Sequence, residues 1–244
     1  TPGAAANPAA AGAGSNAAAG ERDAAGRRPH PALEGAGLRL LTVARFSEQK
    51  DHATLLEAMA QLARQAADAE TRVRVVGGTP PGVAADPVAA PMELLLVGDG
   101  PTEYALRRRA YDLGIEDRVR FLGSRDDVAK LMAASDVYVL ATNWEGLPRS
   151  IIEALRAGLP VVATELAGVP ELVTHGDNGY LVDRGNADEL AGMLGRLVAD
   201  GELRARMGAR SRERYEEEFT FERMYRETLE VYERVLGSGR GGAA

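Results

Sequence analysis

Two acidic and two basic side chains are spaced along this sequence so that they could hold a polar, charged ligand. Arg45 and Lys50 follow an apolar run and bring two permanent cations into one short loop. Glu145 precedes a predicted helix, and Glu153 lies in its second turn, about 10 Å further along the helix axis. A guanidinium and an ammonium suit a diphosphate, whereas a carboxylate accepts hydrogen bonds from neighbouring hydroxyls. These residue types predict a ligand that combines a diphosphate with sugar hydroxyls.

The start of the helix after Glu145 adds an anion-binding element. Pro148 suits the first turn of a helix, where its missing N–H costs nothing, so the free amides of that turn point back toward the preceding loop. The positive end of the helix dipole favours phosphate there, and Gly146 allows the backbone to approach it closely. Each glutamate taken alone has a simpler interpretation, because carboxylates also favour helix N-termini and exposed helix faces without binding anything.

The turn Gly98-Asp99-Gly100-Pro101 matches only half of a dinucleotide-binding fingerprint. Glu103 stands where the third glycine should allow close helix packing, and its charge would lie near a pyrophosphate. We therefore interpret this segment as a tight turn between a strand and a helix, and expect no NAD to bind here.

No metal site is predicted. Asp126 and Asp127 are adjacent rather than separated by one residue, and the histidines have no ligand spacing. His52 and His175 are interpreted as surface or capping residues. The arginine run at 107–109 is expected to be a solvated helix face, with contact to anionic lipid as the alternative.

Short apolar runs rich in branched residues alternate with amphipathic segments, which predicts an α/β fold: a Rossmann-like parallel sheet with helices on both faces. The candidate strands are 38–43, 93–97, 119–122, 137–140, 160–163 and 180–182. The candidate helices are 53–65, 102–113, 128–134, 149–157 and 186–199. Parallel sheets bind ligands beyond the carboxyl ends of their strands, where the loops carrying Arg45, Lys50 and Glu145 would lie.

The flanking and inserted segments have a different composition. Residues 1–37 are mostly Ala, Gly and Pro, and are predicted to be a disordered, low-complexity linker. Residues 77–91 predict a mobile insertion within the ordered domain at 38–236, and residues 237–244 a flexible tail. Towards the C-terminus the chain is predicted to be helical, and an apolar stripe runs at helical spacing from Phe221 to Leu236.

Charge and composition exclude several classes of protein. The 244 residues contain 29 Lys+Arg and 36 Asp+Glu, a formal charge of -7, which argues against general nucleic-acid binding. Without cysteine there is no disulfide framework or thiolate metal site, and a reducing compartment, the cytoplasm, is favoured. No apolar run long enough for a membrane span occurs, so any membrane association would be peripheral.

Several motifs in register resemble the C-terminal half of the retaining, family 4 glycosyltransferases of the GT-B fold. The strongest is Glu145-Gly-Leu-Pro-Arg-Ser-Ile-Ile-Glu153-Ala, which is followed by Gly158-Leu-Pro-Val-Val and by Gly168-Val-Pro-Glu171. VARFSEQKDHATLLEAM and LLLVGDGP precede it in the expected order, and the match extends from Leu38 to about Leu236. The sequence departs from the family at Leu147-Pro148, where Phe-Gly is frequent, and at the insertion of residues 77–91.

The resemblance implies a nucleotide-sugar donor, linked to UDP or GDP, with no separate cofactor and no metal. Arg45 and Lys50 match the family's phosphate-binding pair, Glu145 matches the glutamate that holds the donor sugar, and Glu153 the one that binds the ribose hydroxyls. Gly146, Leu147 and Pro148 occupy the positions whose backbone faces the sugar and phosphates. Arg125 lies in the loop that meets the base, and Lys130 is its neighbour. Arg45, Lys50 and Glu145 are the implied catalytic residues.

The resemblance also implies that an N-terminal, acceptor-binding lobe is missing from this sequence. In the family the last helix crosses back onto that lobe, so we expect the stripe from Phe221 to Leu236 to be poorly covered here. The acceptor would be a sugar, a lipid-linked sugar or another compound of polysaccharide biosynthesis. The implied chemistry is sugar transfer with retention of configuration, in which the cations and helix amides stabilise charge on the departing diphosphate.

Three other functions remain open at the level of sequence. The chain could be a nucleotide-binding module that transfers nothing. A phosphorylase or epimerase reaction can occur on the same fold, although a phosphorylase would need a cofactor lysine and only Lys50 and Lys130 are present. A glycosidase using Glu145 and Glu153 is disfavoured because their setting at a helix end suits phosphate better.

Overall fold

The computed structural model describes residues 27–31, 33, 37–75 and 92–238. The predicted insertion at 77–91, most of the predicted linker and most of the predicted tail lie outside these residues. The strands are β1 (Leu38–Val43), β2 (Met92–Val97), β3 (Val119–Gly123), β4 (Val137–Leu140), β5 (Val161–Thr164) and β6 (Gly179–Val182). The helices are α1 (His52–Val75), α2 (Glu103–Asp112), α3 (Val128–Ala133), α4 (Arg149–Ala157), α5 (Ala187–Ala199), α6 (Gly201–Glu218) and α7 (Phe221–Ser238), with a 3-10 turn at Glu116–Arg118.

The six strands form one sheet in the order β3-β2-β1-β4-β5-β6, and every neighbouring pair is parallel. Alternate side chains of a strand face opposite sides of the sheet. Leu40 and Leu94 accordingly pack in a core layer with residues of α1, α2 and α5, whereas Leu41 and Leu95 pack in a second layer with residues of α3 and α4. Helices therefore cover both faces, and the predicted α/β, Rossmann-like class is confirmed.

One helix is longer than the sequence predicts, and another has no predicted bounds. The sequence predicts α1 only to residue 65, but the helix continues to Val75 through an Ala-rich stretch, because good helix formers do not need a continuous apolar stripe to remain helical. The chain is also helical towards the C-terminus, as predicted, although the sequence pattern sets no bounds for a helix over 201–218. There α6 begins where the Asp200 side chain accepts a hydrogen bond from the Leu203 amide, at 2.8 Å.

The end of the segment that is predicted to be a linker packs on the domain. Arg27 is buried and forms an ion pair with Asp136 at 2.9 Å, and Leu33 belongs to the core layer of α3 and α4. His30 is buried as well, with its Nε2 3.0 Å from a carboxylate oxygen of Asp127. The ordered domain thus includes residues before 38, because a few specific partners hold a segment whose composition is otherwise typical of a linker.

The stripe on α7 is poorly covered, as predicted. Large apolar side chains of this helix are exposed: Phe221, Met224, Tyr225, Leu229, Val231, Tyr232, Val235 and Leu236. In α5, by contrast, Leu190, Leu194 and Leu197 are buried against the sheet. Apolar residues recur at similar spacing in α5 and α7, but of the two sets only that of α5 is buried in the core of the described chain.

Substituting Leu197 and Leu229 separately by Ala tests this difference. Leu197→Ala should lower the free energy of unfolding by about 2–5 kcal/mol, because it removes fully buried methyl groups. Leu229→Ala should change it by less than about 0.5 kcal/mol, as is usual for an exposed site. Urea unfolding followed by circular dichroism measures both values, and equal losses would mean that α7 packs on the domain.

A second prediction concerns the turn after β2. Gly98 has a φ of 137°, and a Cβ built there would lie 2.1 Å from the carbonyl oxygen of Ala44 in the loop after β1. Gly98→Ala should therefore destabilise the fold by at least about 1–3 kcal/mol. Gly192→Ala is the matched control, since this glycine lies inside α5 with no atom within 4 Å of its added Cβ. That control should leave stability unchanged or raise it; a neutral Gly98→Ala would contradict the close approach.

Candidate functional site

The predicted site residues gather where the strand order reverses. β1 and β4 are neighbours in the sheet, but the chain continues from β1 to β2 on one side and from β4 to β5 on the other. The loop after β1, residues 44–51, and the loop after β4, residues 141–148, therefore leave the same edge of the sheet beside each other. Such a reversal point is where open parallel sheets bind ligands.

Hydrogen bonds join these two loops directly. The Asn143 amide donates to the Gln49 carbonyl at 2.7 Å, and its side-chain nitrogen donates to the Glu48 carbonyl at 2.8 Å. In the other direction, Nε2 of Gln49 donates to the Trp144 carbonyl at 2.9 Å. The two loops consequently form one connected surface, in which neither can move without breaking bonds to the other.

Glycines in two neighbouring turns allow those turns to pack closely against the two loops. A Cβ at Gly100 would lie 2.2 Å from the Phe46 carbonyl oxygen, and the Phe46 amide donates to the Asp99 carbonyl at 2.7 Å. Gly168, after β5, has a φ of 78° and would place a Cβ 1.8 Å from the Gly146 carbonyl oxygen. The turn at 98–101 thus packs on the loop that carries Arg45 and Lys50, in agreement with its interpretation as a tight turn.

Lys50 and Glu145, from the two loops, form an ion pair with each other. The Lys50 side chain is 17% exposed and that of Glu145 only 7%, so both charges are largely removed from water. The Thr142 hydroxyl lies 3.1 Å from the same oxygen of Glu145, Oε1. The residue types predict a phosphate contact for Lys50 and a sugar contact for Glu145 without relating the two side chains, whereas in the structure they are partners.

Arg45 is exposed, and within the part of the chain that the structure describes its side chain forms no hydrogen bond or ion pair. Pro148 is the residue that precedes α4, with an extended backbone and no side-chain cap on the helix. Uncapped amides at the start of a nine-residue helix attract anions. Among the described residues, the guanidinium of Arg45 and the uncapped start of α4 are thus groups of this site with unused donors.

Glu153 is exposed on α4, beyond the ion pair. Beneath the site lies the buried Tyr138, whose hydroxyl donates to the Val43 carbonyl at 3.3 Å. Burial raises the pKa of this phenol above its ordinary value, and the charges of Glu153 and Glu145 add to the effect. The charges of both glutamates therefore act on one buried side chain.

Glu153 also lines a groove of about 870 Å³ between α3 and α4. The other lining residues are Arg28, Val128, Ala129, Met132, Ala133, Arg156, Ala157, Gly158 and Arg212. The groove has an apolar wall from α3 and basic side chains from α4, α6 and the segment before β1.

Arg125 and Lys130 are not joined to the Lys50–Glu145 pair by any hydrogen bond or ion pair among the described residues. Arg125 makes two hydrogen bonds with Asp127, at 2.8 and 2.6 Å. The Arg125 guanidinium, together with His30, holds the pKa of the Asp127 carboxyl well below its usual range. Lys130 is exposed on α3. Their assignment to the base-binding side of the site therefore stays a prediction.

His52 and His175 are predicted to be surface or capping residues: His175 is exposed, whereas His52 is buried at the first residue of α1. The His52 side chain is buried, with Nδ1 against the Lys50 carbonyl and its ring edge-on to Phe46 at 5.1 Å between centroids. Burial lowers its pKa from the ordinary value of a histidine. The imidazole thus helps to shape the loop that carries Lys50, a role that a lone histidine in the sequence does not reveal.

Sequence reasoning also missed Thr142, Gln49 and Asn143, the polar residues that join the two loops. The available signal was their position in the loops that follow two apolar strands, although that position does not say which atoms meet. Among the described residues, no three His, Asp or Glu side chains are grouped so that they could hold a metal ion. None of the described helices has both the length and the apolar character needed to cross a bilayer.

A family model described as "Glycosyl transferases group 1" matches residues 28–214. The chain is 39% identical over 150 residues to N-acetyl-alpha-D-glucosaminyl L-malate synthase of Bacillus anthracis, covering 62% of this chain and 39% of that protein. It is 35% identical over 174 residues to the lipopolysaccharide core biosynthesis glycosyltransferase LpsE of Rhizobium meliloti, covering 71% and 43%.

A solved structure of Anabaena Alr3699/HepE, in complex with UDP-glucose, has the same fold. It aligns with a TM-score of 0.66 and 29% sequence identity over 81% of this chain and 49% of that chain. The chain thus spans about half the length, or less, of the proteins that it matches.

The ion pair leads to a stability prediction that separates the two cations. Lys50→Ala leaves a nearly buried carboxylate without its cation and should lower the free energy of unfolding by about 1–3 kcal/mol. Arg45→Ala, at an exposed site, should change it by less than about 0.5 kcal/mol. Combining Lys50→Ala with Glu145→Gln should recover part of the loss, because the charge that lost its partner is gone. Thermal and urea unfolding measure these effects, and equal losses for Lys50→Ala and Arg45→Ala would contradict the described pairing.

Proposed function

The chain belongs to the group 1 glycosyl transferases, and we propose that it binds the nucleotide-sugar donor of an enzyme that transfers sugar with retention of configuration. The donor's diphosphate would lie between Arg45 and the start of α4, with Lys50 near its second phosphate. Glu145 would accept hydrogen bonds from the donor sugar, and Glu153 from the ribose. The observation that carries the proposal is the convergence of Arg45, Lys50, Glu145 and the α4 N-terminus at the reversal point of the sheet.

The charges of the site suit the departure of a diphosphate. As the bond between the sugar and the diphosphate breaks, negative charge grows on the phosphate oxygen that leaves. Arg45, Lys50 and the amides of α4 would stabilise that charge without moving far, which is electrostatic preorganisation. The acceptor hydroxyl would attack from the side on which the diphosphate leaves, and its proton would pass to the leaving phosphate oxygen. No residue of this chain needs to form a covalent bond.

The similarity to a structure that contains UDP-glucose supports a UDP-linked donor, and a GDP-linked donor is the alternative to test. Because the chain spans about half of its relatives, the acceptor belongs to the proposal as well. We propose that a second, acceptor-binding lobe completes the enzyme and packs on the exposed face of α7. The acceptor would be a sugar or lipid-linked sugar of polysaccharide biosynthesis.

Because the chain spans about half of its relatives, a second candidate function is favoured, in which this chain binds a nucleotide sugar but transfers nothing. A transfer assay with UDP-glucose and a panel of sugar acceptors distinguishes the two candidates.

The lack of cysteine in the sequence favours the cytoplasm as the place of action. Peripheral contact with a membrane and independence from a metal or other cofactor stay predictions.

Calorimetric titration with UDP, GDP and UDP-glucose tests donor binding. Arg45→Ala should weaken UDP binding about tenfold, since it removes a charge-assisted contact to phosphate. Arg64→Ala, at an exposed arginine on α1, is the matched control and should bind as the unmodified chain does. Glu145→Ala should reduce the affinity for UDP-glucose while nearly preserving that for UDP.

Two results would count against the proposal. One is an absence of binding by all three nucleotides. The other is equal weakening by Arg45→Ala and Arg64→Ala, which would place the diphosphate away from the loop after β1.

A further inference from the structure

The Glu145 carboxylate receives both of its contacts on one oxygen. Oε1 meets the Lys50 ammonium and the Thr142 hydroxyl, whereas Oε2 has no hydrogen-bond partner among the described residues. The Glu145 side chain is 7% exposed, and Oε2 keeps contact with solvent. The two protein donors to the carboxylate therefore both act on Oε1.

The Thr142 hydroxyl has one proton but three acceptors within reach. It lies 3.0 Å from the Gln49 carbonyl, 3.4 Å from the Trp144 carbonyl and 3.1 Å from Oε1 of Glu145. A hydroxyl donates to one acceptor at a time, and rotation about the C–O bond changes which one. The side chain itself is fixed, because Thr142 is 1% exposed and its amide donates to the Thr164 hydroxyl at 3.1 Å.

Lys50 faces two demands under the proposed function. In the structure it neutralises Glu145, and in the donor complex it would contact a phosphate. When the Lys50 ammonium turns toward the phosphate, the Glu145 carboxylate loses its counter-charge in a site with little water. Such an unpaired, nearly buried charge is costly unless another donor takes over.

We propose that Thr142 is a positioning residue that allows this exchange. When Lys50 turns to the diphosphate, the Thr142 proton, which three acceptors otherwise share, stays on Glu145 and holds the carboxylate in place for the sugar. The hydroxyl supplies a charge-assisted hydrogen bond at the moment when the carboxylate loses its cation. This inference rests on the proposed function, since it assigns Lys50 a contact to the donor.

A set of variants separates this role from a purely structural one. Thr142→Val keeps the shape and removes the hydroxyl, whereas Thr142→Ser keeps the hydroxyl. Ser135→Ala is the matched control, because Ser135 is 5% exposed and its hydroxyl donates only to the Leu131 carbonyl, at 2.8 Å. In calorimetric titration, Thr142→Val should weaken UDP binding about tenfold. Thr142→Ser and Ser135→Ala should stay within about twofold of the unmodified chain.

The decisive comparison repeats Thr142→Val in a Glu145→Gln background. A neutral amide does not hold Lys50 as a carboxylate does, so Lys50 is already free to turn and the hydroxyl has nothing to compensate. Removing the hydroxyl there should change UDP affinity by less than about twofold. If the loss is as large as in the background with Glu145, Thr142 acts only on loop structure and the proposal is overturned. An unchanged affinity of Thr142→Val itself also overturns it.

A second measurement needs no nucleotide. Lys50 and Lys130 are the two lysines of the sequence, so ¹³C-dimethylation of lysine gives one signal from the site and one from exposed Lys130 as an internal reference. Thr142→Val and Glu145→Gln should each shift the Lys50 signal and leave that of Lys130 in place, because both alter the ion pair. An unchanged Lys50 signal in Thr142→Val overturns the inference. If the variants behave as expected in this measurement but UDP does not bind, the proposed function fails instead.

Discussion

The site depends on the direct hydrogen bonding between the loops after β1 and β4. A reversal of strand order leaves a gap between the two halves of a parallel sheet, and the loops on either side must satisfy their backbone groups across it. Here the carbonyls of Glu48, Gln49 and Trp144 accept hydrogen bonds from residues of the opposite loop. The bonds keep the charged side chains at fixed separations, so the ion pair between Lys50 and Glu145 follows from the backbone rather than from chance contact of two long side chains.

This pairing changes the electrostatics of the site. Two cations in one loop suggest a strongly positive surface, but Glu145 cancels one of them and leaves Arg45 and the start of α4 as the uncompensated positive groups. A site of that kind attracts an anion through few groups and keeps the remaining charges paired. The arginines of α2 illustrate the opposite arrangement: Arg107, Arg108 and Arg109 are each paired with a carboxylate, and offer no comparable free cation.

The sequence predicted the fold class and strand positions well because buried parallel strands are short, continuously apolar and separated by amphipathic segments. It did not predict the pairing of Lys50 with Glu145, since the two residues are far apart in the chain and their meeting depends on strand order. The same reason explains why residues 27–33 were assigned to a linker: Arg27 is held by Asp136, more than a hundred residues later. Local composition cannot report a partner that only the tertiary fold supplies.

Exposed apolar side chains connect the fold with the proposed function. Trp144 and Leu147 are 58% and 49% exposed in the loop that carries Glu145, and α7 exposes a whole face. Isolated exposed apolar residues are ordinary, but a continuous helix face is not, and it costs free energy unless another surface covers it. Under the proposed function, in a chain that spans about half of its relatives, the α7 face would be one side of the interface with the acceptor-binding lobe. Such a lobe would also exclude water from the cleft, where a guanidinium, helix amides and an ammonium would stabilise growing charge more strongly as the local dielectric falls.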